Sequence, residues 1–222
     1  FDKLLDFLRI FWKKSLLKNY DNKIFRENCY KFYFDKTKTR IDLFYKNSNK
    51  KDGIESINGD QMPTLKSLLN RIDWNDLSDG LPGRFHGDLH FENILWEPQK
   101  KNFKLLDWRQ DFAQDLIVGD IYYDLAKILH GLIISHELIV KNIFSIKWTK
   151  KKIQYHLHRK KVLKECEKKF EIWCKKNNFS YKKIRILTAL IYLNISSLHH
   201  HPYSLFLYAL GKHMLRKELR DK

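Results

Sequence analysis

His86, Asp88 and Asn93 stand in the spacing HxDxxxxN within His86-Gly87-Asp88-Leu89-His90-Phe91-Glu92-Asn93, and Asp107 follows fourteen residues later in Leu105-Leu106-Asp107-Trp108. Two carboxylates and an amide in this order suit phosphoryl transfer to a hydroxyl. That reaction needs a carboxylate to orient the hydroxyl and take its proton, and oxygen ligands for the magnesium ions that neutralise a triphosphate. A loop is expected to hold Asp88 and Asn93 on one side of the site. Two short apolar runs, 93–97 and 103–107, are joined by a turn rich in polar residues and read as a β-hairpin that returns Asp107 beside them.

Other chemistries fit the same residues less well. His86-Gly87-Asp88-Leu89-His90 imitates the HExxH zinc motif, but that motif needs a helix, and Gly87 after the turn Gly80-Leu81-Pro82-Gly83 argues against one. His90-Phe91-Glu92 imitates the HxE of zinc deaminases without the PCxxC partner. Five aspartates (Asp107, Asp111, Asp115, Asp120, Asp124) fall within eighteen residues. Crowded carboxylates repel unless a cation joins them, and the alternative for each is an ordinary loop or cap residue.

The elements that must position these groups are mostly helical. Apolar residues recur at helical spacing over 2–19 and again over 23–45, whereas 46–59 is polar and reads as loop. Pro63 opens a short helix to about Arg71. Beyond Gly119 the pattern predicts helices over 120–134, 136–146, 150–177, 181–198 and 203–219. None of the 8 glycines precedes Gly53, so the first fifty residues hold no Gly-rich phosphate loop.

The chain has 222 residues and a formal net charge of +17, yet it is 43% hydrophobic and 14% aromatic, a composition that excludes disorder. The charge is uneven: residues 1–50 carry +7, residues 51–130 carry −5 and residues 131–222 carry +15. The motifs lie in the acidic middle. The basic runs Lys150-Lys151-Lys152, Arg159-Lys160-Lys161 and Lys168-Lys169 read as one solvated helix face rather than as a nucleic-acid site. No window of ~18 apolar residues marks a membrane span. Three cysteines without CxxC spacing point to a reducing, cytoplasmic setting. His199-His200-His201 reads as a helix-end group rather than a metal site, and Trp148, Trp173, Tyr192 and Tyr203 as core residues rather than an aromatic box for a quaternary ammonium.

The succession HGDLHFENIL, then LLDW, then Gly119-Asp120-Ile121-Tyr122-Tyr123-Asp124-Leu125-Ala126 resembles the motif order of the aminoglycoside phosphotransferase and choline kinase family, closely over 84–127. The resemblance implies an α+β, mostly α-helical chain, the large lobe of a protein-kinase-like fold, with a short β-hairpin carrying the catalytic and metal loops. It implies Asp88 as catalytic base, and Asn93 and Asp107 as ligands of Mg2+ and contacts of ATP or GTP. His86, His90, Asp124 and Arg109 are then supporting residues, with His86 steadying the loop and Asp124 bracing it from the following helix. Arg109, Glu92 and Ile121 depart from the family pattern without removing a reacting group; Arg109 is expected to pair with Asp111 or Asp115 ahead of an anionic substrate.

The implied layout is a helical segment over 1–80, a catalytic core over 84–127 and a helical acceptor-side subdomain over 128–222. The family's small lobe, with its phosphate loop and lysine, is expected upstream of Phe1, alone or with a fused nucleotidyltransferase, so that residues 1–222 alone would turn over little. The implied acceptor is a sugar or choline-like metabolite, with cell-surface polysaccharide synthesis as a setting. An aminoglycoside kinase and a non-catalytic basic or scaffold domain are the alternatives.

Overall fold

The computed structural model describes residues 1–17 and 19–220. Helix α1 (Asp2–Ser15) buries Leu4, Leu5, Leu8 and Trp12 on one face, the amphipathic pattern expected, and stops at Leu16, whose extended backbone bridges to Gly83. Asp21 caps α2 (Asn22–Tyr30) by accepting from the amides of Lys23 and Ile24. A π-helical stretch, Lys31–Asp35, passes directly into α3 (Lys36–Ser48).

The segment expected to be loop contains a hairpin. Strand β1 (Glu55–Ile57) pairs antiparallel with β2 (Asp60–Met62) across Asn58 and Gly59, both at positive φ. Asn-Gly is the pair that a two-residue hairpin turn demands, and Ile57 and Met62 in the two strands are buried. Short helices α4 (Leu65–Leu69) and α5 (Trp74–Ser78) follow. Then come β3 (Pro82–Gly83), the hairpin β4 (Ile94–Glu97) and β5 (Asn102–Leu105), and β6 (Gly119–Asp120).

The last third is α6 (Ile121–Ile133), α7 (His136–Val140), β7 (Phe144–Trp148), β8 (Lys152–Leu157), α8 (Lys161–Lys176), α9 (Tyr181–Ser196) and α10 (Tyr203–Glu218). The helices expected over 136–146 and 150–177 are therefore corrected: the first is one short helix running into a strand, and the second begins only at Lys161. The cause is periodicity. Phe144, Ile146 and Trp148 alternate with Ser145 and Lys147, and Ile153, Tyr155 and Leu157 alternate with Gln154 and His156, a two-residue repeat that buries one face of a hairpin. Strand β8 also pairs in parallel with β1, which makes a four-stranded sheet in the order β2-β1-β8-β7.

Helix α9 lies at the centre, against α10, α6, α3 and α8. One cluster of buried apolar side chains extends from Leu4 to Leu215, and a smaller one beneath the four-stranded sheet joins Ile57, Met62, Ile153 and Ala209. The fold is α+β and mostly helical, and no helix among the described residues is long and apolar enough to cross a membrane.

Candidate active site

The pairing of β3 with β6 sets the loop that follows β3 beside the start of α6. One turn into that helix, Asp124 is fully buried and accepts from the amide of His86 at 2.8 Å, the amide of Gly87 at 2.7 Å and the indole Nε1 of Trp12 at 3.1 Å. Burial lifts its carboxyl to about 6 even though all three donors favour the ionised form. Gly87 has φ +79, and a Cβ there would lie 2.5 Å from Cβ of Arg109, so only glycine lets the loop pass. Replacing Trp12 by Phe keeps most of the packing and removes one donor to a carboxylate; we expect a loss of about 1–2 kcal/mol in chemical denaturation.

His86 is buried and holds two segments together. Its Nε2–H donates to the carbonyl of Leu106 at 2.7 Å and its Nδ1 accepts from the amide of Asp88 at 3.2 Å, which assigns a neutral ring. Burial keeps it neutral by lowering its pKa. The ring packs 4.8 Å from that of Trp108, and the carbonyl of His86 accepts from the amide of Arg109. The loop after β3 and the segment after β5 are thus fastened at one imidazole. The β4–β5 ladder, with Ile94 opposite Leu105, continues into a bond from the amide of Leu106 to the carbonyl of Asn93. Asn93 and Asp107 accordingly sit at the same end of one hairpin.

Asp88 is one third exposed, and its Oδ1 lies 2.6 Å from Nζ of Lys127. Its Oδ2 is 3.4 Å from Nε2 of His90, whose Nδ1 meets Glu92 at 2.8 Å. Burial pushes the Asp88 carboxyl up, but His90 and the Lys127 ammonium outweigh it and hold the group well below the usual carboxylate range. The hydrogen bond to Asp88 raises the pKa of His90 in return, against partial burial. No motif in the sequence points to Lys127. Its signal is position: three residues after Asp124 on α6, it shares the face that brackets the loop from beneath.

The side-chain amide of Asn93 donates to the carbonyl of Asp88 at 2.9 Å, and among the described residues no donor engages its Oδ1. Asp107 is exposed at φ +54 and its carboxylate forms no hydrogen bond or ion pair among the described residues. The other crowded aspartates are occupied. Asp120 accepts from the amides of Leu81 and Tyr122 and the hydroxyl of Tyr33; Asp115 accepts from Tyr20 and the amides of Ile117 and Val118; Asp111 accepts from the amide of Gln114. Arg109 bonds Asp111 through that residue's main-chain carbonyl at 3.0 Å, which leaves the guanidinium without the expected carboxylate.

The zinc arrangement is not assembled, because both ring nitrogens of His86 face main-chain groups and 84–90 is loop. An amide oxygen and a free carboxylate are hard donors that suit Mg2+, which keeps waters and substrate phosphates as its remaining ligands. Beside the loop, a cleft of about 890 Å3 is lined by His90, Glu92, His130, His136, His199 and Tyr203. The four aromatic residues that an ammonium box would need do not gather: Trp148 stacks on Tyr208, Trp173 on Phe179, and Tyr192 is wholly buried with its hydroxyl on the carbonyl of His130.

A family model described as phosphotransferase enzyme family matches residues 34–140, a span that contains the motifs at 86–95, 105–108 and 119–126. No curated protein and no solved structure matches the chain.

Proposed function

We propose, from the match of residues 34–140 to the phosphotransferase enzyme family and the resemblance of its motifs to the aminoglycoside phosphotransferase and choline kinase group, that this chain transfers the γ-phosphoryl group of ATP or GTP to a hydroxyl of a small molecule. The observation that carries the reading is the fastening of the Asp88 loop, Asn93 and Asp107 around one end of the β4–β5 hairpin by Asp124, His86 and the hairpin itself.

Asp88 is the base. Kept ionised by Lys127 and His90, it accepts a hydrogen bond from the acceptor hydroxyl and takes the proton as the oxygen attacks phosphorus. Asn93 Oδ1 and the Asp107 carboxylate would hold Mg2+, which when bound would offset charge on the phosphates. Asn93 also steadies the base loop through its bond to the Asp88 carbonyl. A sugar-like acceptor is favoured over a quaternary ammonium, since the aromatic residues that a cationic head would need are dispersed.

The test uses the full-length natural protein with ATP and Mg2+, following 31P resonances over a panel of polyols and amino alcohols. Acceptor-dependent ADP formation is expected. Asp107→Asn should raise the Mg2+ concentration for half-maximal rate at least about tenfold; an unchanged Mg2+ dependence refutes the assignment.

A further inference from the structure

Three cations converge on a second cavity beside the base without carboxylate partners. Lys36 and Arg40 lie four residues apart on α3 and so share one face, and Arg109 reaches the same space from the loop after β5. With Lys31 they line a cavity of about 590 Å3 whose wall also includes Asp35 and Asp111, so that cations outnumber carboxylates there four to two. Nζ of Lys36 is 4.0 Å from the centre of the Phe32 ring, and Cζ of Arg109 is 5.1 Å from it, so both charges crowd one aromatic ring. Among the described residues, none of Lys36, Arg40 and Arg109 has a carboxylate within ion-pair distance. The molecule treats its other enclosed lysines differently: Lys127 is paired with Asp88, and Lys212 with Glu55 at 2.7 Å.

Keeping like charges together in a partly desolvated cavity is costly unless an anion completes it. The strain is visible on Lys36, which burial, followed by Arg109, Arg40 and Lys127, brings down to about 7, with Asp111 acting the other way. The cavity is also next to the chemistry. Arg109 lies against Gly87, the residue before Asp88, and Lys127, which Lys36 senses, is the partner of Asp88 itself.

We propose that Lys36, Arg40 and Arg109 form a subsite for an anionic group of the acceptor, so that the acceptor is a polyol bearing a phosphate or carboxylate in addition to the hydroxyl that is phosphorylated. The term acceptor rests on the phosphotransferase reading; the anion site does not. The nucleotide is the other source of phosphate. It is assigned instead to the Asn93–Asp107 end of the hairpin, where a metal ion carries the compensating charge, whereas two of the three cations belong to α3.

Calorimetric titration of the full-length protein with inorganic phosphate, a hexose 6-phosphate, the free hexose and ATP with Mg2+ separates these sources. Phosphate and the hexose phosphate are expected to bind more tightly than the free hexose, and to weaken about tenfold or more in Lys36→Gln and in Arg40→Gln. Affinity for ATP with Mg2+ should change less than about twofold. Arg40 is partly exposed, so its substitution keeps the comparison valid if Lys36→Gln misfolds by circular dichroism. Unchanged phosphate binding in the variants, or loss of ATP affinity in parallel, overturns the proposal. Phosphate binding that depends on these residues, with no phosphoryl transfer to any polyol, leaves the anion site standing and removes the proposed reaction. Transfer to neutral polyols that is insensitive to Lys36 and Arg40 does the reverse.

Discussion

If the proposed transfer is correct, Asp88→Asn is expected to lower kcat by about 10²–10⁴-fold, with KM for ATP changed by less than about threefold. The amide still fills the space and still accepts a hydrogen bond, but it cannot take the proton of the attacking hydroxyl. Asp88 is held well below the usual carboxylate range, so at working pH it is already ionised and the acid limb of the rate profile should not report its titration. His90, raised by its bond to Asp88, is the neighbouring group that changes charge on that side. One side effect must be separated from the chemistry: the variant strips Lys127, which is only 8% exposed, of its carboxylate partner. With Asp88 one third exposed, that loss is about 1–2 kcal/mol rather than the larger cost of opening a fully buried pair. The double variant Asp88→Asn with Lys127→Met removes both charges. It should recover most of the stability and none of the turnover. Full kcat in the single variant, measured on folded protein, would exclude Asp88 as the base.

The local part of this site was legible because it is written in short range. The β4–β5 hairpin, its polar turn and the return of the chain toward Asn93 follow from two apolar runs of strand length. Asp124 and Trp12 show where legibility stops. They are 112 residues apart, and nothing in either neighbourhood announces that an indole donor and a buried carboxylate will meet. Lys127 is an intermediate case, since the one-turn offset from Asp124 is in the sequence but gains meaning only once β3 and β6 set the base loop over α6. The β7–β8 hairpin was concealed by a basic turn: Thr149, Lys150 and Lys151 join two alternating runs, and lysines on either side blur a repeat of two into one nearer 3.6. The aspartate cluster looked like one electrostatic feature and is several. Nearby main-chain amides, together with the distant Tyr20, Tyr33 and Leu81, absorb Asp111, Asp115 and Asp120, and Asp107 alone of the five is left free of protein partners among the described residues.

Asp124 ties that architecture to stability, and its removal should damage the fold more than the loss of Trp12's indole donor or of the Asp88–Lys127 pair. Asp124→Ala leaves the amides of His86 and Gly87 and the indole of Trp12 without their acceptor inside the protein. At roughly 1–3 kcal/mol for each stranded donor, partly relieved by water entering the space, the expected loss is about 3–6 kcal/mol. That is a large share of the roughly 5–15 kcal/mol that holds a domain folded. The carboxylate also gives the fold a pH dependence of definite sign. Burial raises its pKa from an ordinary 3.8 to about 6, so the folded protein keeps a proton that the unfolded chain has released between those values. Its contribution is fully present below about pH 4 and is lost as pH rises through 6, a span of about 3 kcal/mol. Asp88 and Asp115, both depressed, run in the opposite sense and favour the folded state as pH rises. The measurable quantity is therefore the difference between wild type and Asp124→Asn in urea denaturation at pH 4.5, 6 and 7.5. The variant keeps one acceptor oxygen but cannot titrate, so its deficit should shrink as pH rises and the wild-type carboxylate begins to carry its burial cost. A deficit that stays constant or widens with pH would mean that Asp124 is ionised throughout, and that its three donors more than compensate for burial.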